Sequence, residues 1–86
     1  MNGTNEGYEI IASETYHVST ITEQESRVVL ARKETTFGTM FVTWESNALL
    51  ISQSCKKVDY YWGHYFDDEN KARADYHKRL AAKYEG

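Results

Sequence analysis

No proline occurs anywhere in the 86 residues, there is a single cysteine, Cys55, and glycine appears only five times. Without proline, chain reversals must be made by Gly, Asn, Asp and Ser. One cysteine excludes an internal disulfide. Long apolar stretches are missing too: no apolar run exceeds four residues, as at Ala48–Ile51, far short of the ~20 needed for a membrane-spanning helix. The first seven residues lack the basic start and apolar core of an export signal, so a cytoplasmic location is expected. Lys and Arg are absent from the first 25 residues, which carry Glu6, Glu9, Glu14, Glu23 and Glu25. The other 61 residues hold ten bases against eight acids, and the whole chain carries a net charge of −3. A pI near 5.5 disfavours generic DNA binding, because phosphate contacts need a basic surface. The acidic third keeps the chain soluble or turns toward a basic partner.

What the chain does have is aromatic side chains, 14% of all residues. Five of them and a histidine fall in the seven positions from Tyr60 to Phe66. Val58, Tyr60, Trp62, His64 and Phe66 form one alternating set, Tyr61 and Tyr65 the other. A strand with one wet face alternates apolar with polar residues, so this pattern predicts a central strand, or one whose outer face is covered by a partner. Trp44, Trp62 and Phe66 are expected in the core. Gly63, between aromatics, predicts a bulge or a close backbone approach.

The rest of the chain reads as one domain of the α+β class, 1–86, with 1–7 frayed. Tyr8–Ala12 suits a short edge strand and Glu14–Thr22, rich in β-branched residues, a second one. Thr22–Ser26 reads as a polar turn and Arg27–Glu34 as the next strand. Thr35–Thr39, with its glycine, predicts a hairpin leading into Met40–Glu45. In that strand Met40, Val42 and Trp44 share one face; Phe41, Thr43 and Glu45 share the other. Ser46–Lys57 reads as a longer loop whose Ala48–Ile51 run folds over the core, extends a strand or forms an exposed patch.

Asp67 is the expected N-cap of a C-terminal helix, with Asp68 and Glu69 in its first turn. Ala72, Tyr76, Leu80 and Tyr84 form its apolar stripe. Glu69–Arg73, Lys71–Asp75 and Asp75–Arg79 are i,i+4 pairs assigned to its wet side. The expectation is therefore an antiparallel meander of three to five strands with one C-terminal helix on one face.

Several groups could carry function. Tyr61 and Tyr65, on the second set of the aromatic strand, could anchor a protein partner. In a small single-stranded nucleic-acid binder they would instead stack bases. His64, His77 and Cys55 could meet through the fold as metal ligands, giving a zinc-supported structural domain, although no local ligand spacing encodes this; otherwise no cofactor is expected. Cys55 with His64 lacks the orienting group that a nucleophile and base require. Asp67-Asp68-Glu69 is better explained as a helix start than as paired acids. No phosphate loop or hydrolase motif is present, so the expectation is not an enzyme. The glutamates Glu6, Glu9, Glu14, Glu23 and Glu25 could imitate nucleic-acid phosphates toward a basic groove.

Phe41-Val42-Thr43-Trp44-Glu45, then Asp59-Tyr60-Tyr61-Trp62-Gly63-His64-Tyr65-Phe66-Asp67-Asp68, then a helix with Ala72, Asp75, Tyr76 and Arg79, resembles small proteins carried by phages and conjugative elements of Gram-positive bacteria. The likeness covers residues 38–80. In size, acidity and lack of an enzyme motif the chain is similar to type II-A anti-CRISPR proteins. This resemblance implies a host-cell cytoplasmic inhibitor that binds Cas9 on a basic or conformationally required surface. Glu9, Glu14, Glu23, Glu25, Tyr61 and Tyr65 would be its contacts.

Overall fold

The structure is a computed structural model that describes residues 4–5, 7–21, 23–51 and 55–85, with the side chains of 4–5, 49–51 and 55–57 left aside. Five strands run in order: β1 (Thr4–Asn5), β2 (Tyr8–Ser19), β3 (Gln24–Thr35), β4 (Gly38–Ile51) and β5 (Cys55–Phe66). One helix, α1 (Glu69–Glu85), follows. Each strand pairs antiparallel with its sequence neighbour in the order β1-β2-β3-β4-β5. This is the expected α+β meander, with four long strands and the two-residue β1 at its edge. Most of the segment expected to fray, 1–3 and residue 6, lies outside the described residues. None of the described helices is long and apolar enough to cross a membrane.

Three boundaries within the sheet differ from expectation. The two short strands expected over Tyr8–Ala12 and Glu14–Thr22 are one twelve-residue strand. Two bulges at Ile11 and Tyr16 break its alternation, so its pattern reads as two pieces. The turn before β3 is shorter than expected, because β3 begins at Gln24. Finally, the described residues of Ser46–Lys57 are strand rather than loop. β4 runs on to Ile51 and β5 starts at Cys55, with Ser46 opposite Arg27 on one side and Tyr60 on the other. Pairing on both sides overrides the turn preference of Ser46 and Asn47. Of the three roles considered for Ala48–Ile51, the strand extension is the one found. Ala48 is buried; the side chains of 49–51 lie outside the described residues.

The β3–β4 hairpin turns on Thr36 and Phe37. Thr35 Oγ1 donates to the Gly38 carbonyl at 2.7 Å and accepts from the Phe37 amide at 3.1 Å. Gly38 has φ +119°, a conformation that side chains rarely adopt. The helix starts one residue later than expected. Asp68, not Asp67, caps it, with Oδ1 accepting from the amides of Asn70 (2.8 Å) and Lys71 (3.2 Å). That carboxylate satisfies two of the amides a helix start leaves unpaired.

The sheet has two unlike faces. On the helix face, Ala72, Tyr76 and Leu80 pack on Val28, Leu30 and Phe41, with Ile11, Ala12, Tyr16 and Phe66 around them. On the other, Ile10, Val29, Ala31, Val42 and Trp44 form a second cluster. No element covers it among the described residues; Tyr8 and Tyr60 pack against it. Tyr8 meets the Trp44 ring edge-on at 5.6 Å and Tyr60 meets it at 5.5 Å. Tyr65 closes on Tyr8 at 6.3 Å, and Lys33 Nζ sits 5.5 Å over the Tyr8 ring. Trp44 is thus core as expected, but on the face away from the helix.

Candidate functional site

Between Thr43↔His64 and Glu45↔Tyr61, β5 carries two residues, Trp62 and Gly63, where β4 carries only Trp44. This is a bulge, and its first residue, Trp62, has φ +55°. Glycine or a small polar residue usually occupies such a position, because a Cβ there crowds the following carbonyl. The strain is of order 1–3 kcal/mol. Gly63 is required for a different reason: a Cβ built on it would lie 2.8 Å from Trp44 Nε1. Both features anticipated for Gly63, bulge and close approach, are present.

The bulge reverses the alternation of β5 midway. Before it, Tyr60 points away from the helix and Tyr61 toward it. After it, His64 and Phe66 point toward the helix, and Tyr65 away, onto Tyr8. The expectation that Tyr61 and Tyr65 share a face is therefore corrected: they lie on opposite faces of the sheet. Trp62, expected in the core, is 68% exposed, because the inserted residue sits outside both alternating sets. Its ring stands edge-on to Tyr61, centroids 4.9 Å apart.

Beneath the bulge lies a group of charges. Arg79, on α1, is only 8% exposed, as is Glu45 on β4. Arg79 donates to Glu45 Oε2 and to Asp75 Oδ2, both at 3.1 Å, and its third branch donates to the Trp62 carbonyl. Lys83 Nζ reaches the other Glu45 oxygen at 2.8 Å and lies over the Tyr16 ring at 5.4 Å. Asp75 Oδ2 also accepts from Thr43 Oγ1 at 2.6 Å and meets His64 Nδ1 at 3.0 Å. A guanidinium fork fits this task, since its fixed donors can hold two carboxylates and a carbonyl at once. The helix is thereby tied to both β4 and β5, and the left-handed turn at Trp62 gains a donor for its carbonyl.

The pKa directions follow from these contacts. Burial pushes the Asp75 carboxyl up, but hydrogen bonds from Thr43, His64 and Arg79 outweigh it and hold it below its ordinary value. The hydrogen bond to Glu45 raises Lys83 against the opposing effect of burial. Burial, with help from Tyr16 and Glu45, raises the Tyr61 hydroxyl.

The i,i+4 spacing of Asp75 and Arg79 predicts the wet side of the helix; they face the sheet instead. Of the three pairs expected there, Glu69–Arg73 forms in the open at 2.7 Å. Asp75 turns its carboxylate to Thr43, His64 and Arg79 rather than to Lys71. Tyr84, expected in the apolar stripe, is 60% exposed, and its hydroxyl donates to Glu14 Oε2 at 2.6 Å.

The N-terminal glutamates do not form one surface. Glu9, opposite Arg32, and Glu14, bonded to the helix, share the helix side of β2. Glu23 is in the β2–β3 turn with φ +55°. Glu25 lies on the opposite face, held by Arg27 at 2.6 Å. Two of the three candidate metal ligands have described side chains. His64 is engaged by Asp75, His77 is exposed with its ring against Tyr76, and the Cys55 side chain lies outside the described residues. Among the described residues, no group of three His, Cys, Asp or Glu side chains converges as a metal site.

Two residues of this site escaped the sequence reading. Arg79 flanks the apolar stripe, next to Leu80 and three residues after Tyr76, which is the one available signal. Trp62 gave a signal only through Gly63 beside it. No family model, curated protein or solved structure matches the chain.

Proposed function

We propose that the protein is a non-enzymatic binding protein that inhibits a host nuclease, with Cas9 the first candidate. In this reading it acts in the cytoplasm of a bacterium that carries the mobile element encoding it. The observation that carries the proposal is Trp62. It is a large aromatic side chain, 68% exposed, held in left-handed backbone whose carbonyl is fixed by a buried arginine. Tryptophan is enriched among the few residues that supply most interface energy, and strained backbone that the surroundings over-determine clusters at functional positions. Tyr61 widens the anchor on the helix side. The glutamates, spread over both faces and the turn, supply longer-range attraction to the basic channels of a nucleic-acid-guided effector. The choice of Cas9 rests on the likeness of the chain to type II-A anti-CRISPR proteins in size, acidity and lack of an enzyme motif; the resemblance of residues 38–80 points to mobile-element proteins and carries no activity of its own.

The test is DNA cleavage by a Cas9–guide complex incubated with the protein. The wild type is expected to stop cleavage, and Trp62→Ala to weaken inhibition ~10- to 100-fold, the range of an interface hot spot. Converting Glu9, Glu14, Glu23 and Glu25 together to Lys should slow association and abolish inhibition at moderate salt. Cleavage that proceeds unchanged with wild-type protein retires Cas9 as the partner. Full inhibition by Trp62→Ala retires Trp62 as the anchor.

A further inference from the structure

Unpaired cations stand beside an exposed aromatic ring where one flank of α1 faces β5. Asp75 marks that flank, because its carboxylate meets His64 on β5. Lys71 and Lys78, four residues before Asp75 and three after it, lie on the same side of the helix. Both are exposed. Arg73, Arg79 and Lys83 of α1 each meet a carboxylate; Lys71 and Lys78 meet none among the described residues. The helix acids nearest them are engaged. Asp68 Oδ1 accepts two amides at the helix start, and Asp75 Oδ2 accepts from Thr43, His64 and Arg79. His64 turns Nδ1 to that carboxylate at 3.0 Å, so Nδ1 carries the proton and Nε2 lies on the opposite edge of the ring. Its side chain is 56% exposed. Beside it on the strand is the bulge, with Tyr61 edge-on to Trp62. An edge-on contact takes up at most one face of the indole, and at 68% exposure the other is open to stacking. Two further acids bound this stretch. Asp59 lies beyond Tyr61 on the helix side of β5, opposite Asn47, and Asp67 follows Phe66 at the end of the strand.

We propose that this flank binds a single nucleotide, with the base stacked on Trp62 and the phosphates held by Lys71, Lys78 and His64. Stacking on an aromatic ring, joined to cations that meet the phosphate, is how single-stranded nucleic acid is held. Here the acids limit the length. A strand continued in either direction would set its phosphates against Asp59 or Asp67, and the net charge of −3 opposes a polymer further. One nucleotide fits between them. Asp59 also fixes the orientation, since it repels phosphate from the Tyr61 end and leaves that end to the base. The ordered network under the site costs the ligand little, because Arg79 and Asp75 hold Trp62 and His64 before anything binds. The site does not depend on the nuclease-inhibitor reading. A bound nucleotide covers Trp62 and so competes with any protein anchored there.

The experiment is calorimetric titration of the purified protein alone with four probes: ADP, adenosine, inorganic phosphate and a short oligothymidylate. ADP is expected to bind with a Kd of about 0.01–1 mM, more weakly as salt is raised. Adenosine lacks the phosphates and inorganic phosphate lacks the base, so each should bind at least roughly tenfold more weakly than ADP. The double variant Lys71→Gln, Lys78→Gln should weaken ADP binding roughly tenfold. Both positions are exposed, and a thermal melt confirms that the variant is folded. Trp62→Ala should weaken ADP binding ~10- to 100-fold, the range of a lost base stack. Trp62→Phe, which keeps a stacking ring, should still bind, but the quenching of tryptophan emission that ADP causes in the wild type should disappear. A wild type that takes up no ADP at about 10 mM overturns the proposal. So does ADP binding that the lysine variant leaves unchanged, or that adenosine or phosphate alone matches. Oligothymidylate held far more tightly than ADP overturns the single-nucleotide assignment in favour of a strand.

Discussion

The two faces of the sheet solve the same problem with different materials. On one, a helix supplies the second layer, and burial there includes a network of full charges: Arg79, Glu45, Asp75 and Lys83. On the other, a few aromatic side chains serve as the second layer, and Trp44 reaches 3% exposure beneath Tyr8 and Tyr60. Apolar burial is non-directional and tolerates approximate fits. A buried ion network is valuable only while every member is present. The helix face should therefore fail sharply when one charge is removed, and the tyrosine-covered face should fail gradually.

The largest effect is expected from Arg79→Ala. It leaves Glu45 buried with only Lys83 beside it and removes the donor from the Trp62 carbonyl, at a cost of about 3–5 kcal/mol in urea unfolding. The double variant Arg79→Met, Glu45→Leu should recover much of that loss, because it removes the charges together. Recovery would show that the charges hold geometry rather than supply net stability. A double variant as unstable as Arg79→Ala would show the reverse.

Gly63→Ala tests the other face through the same bulge. Its methyl group must displace the Trp44 indole, at about 1–3 kcal/mol, and near-ultraviolet dichroism should report the moved ring. Gly38→Ala meets nothing within 4 Å and is strained only by its positive φ, so about 1 kcal/mol is expected there. Equal losses at the two glycines would contradict the close approach of Trp44.

The smallest effect is the pH response of the helix face. Asp75 has a folded pKa held below its ordinary value, so its contribution is complete above about pH 4 and is lost as the pH falls further. Lys83 is raised, so its contribution is complete below about pH 10.4 and is lost as the pH rises beyond it. Asp75→Asn should flatten the acid limb of the melting-temperature profile, and Lys83→Met the alkaline limb. Unchanged limbs would mean that neither ion pair is felt by the folded state.

Much of the fold was legible because it rests on alternation and periodicity. Val28 to Ala31, Met40 to Glu45 and the Ala72-Tyr76-Leu80 stripe behave as their patterns predict, down to which residues of β4 share a face. The site was not legible, for three physical reasons. An inserted residue shows in a sequence only when it makes polar and apolar positions change phase, and from Tyr60 to Phe66 both phases are aromatic. Arg79 follows Asp75 at the spacing of a solvent-exposed pair, and the partner that buries it, Glu45, is 34 residues away in sequence. Ser46 and Asn47 carry loop preferences that two flanking strands override. The placement of Trp62 depends on all three.

The order in which these contacts can form has its own consequence. Each strand pairs with its neighbour in sequence, so the sheet can assemble hairpin by hairpin from short loop closures. The Arg79 contacts to Glu45 and Trp62, and the Tyr84 contact to Glu14 across 70 residues, must wait until that sheet exists. The carbonyl of Trp62 acquires its donor only when the helix docks, after the surrounding strands are in place. In kinetic terms, Arg79 belongs to the late side of the folding barrier. Its loss should accelerate unfolding while leaving the folding rate nearly unchanged, and helix undocking would be the step that releases Trp62.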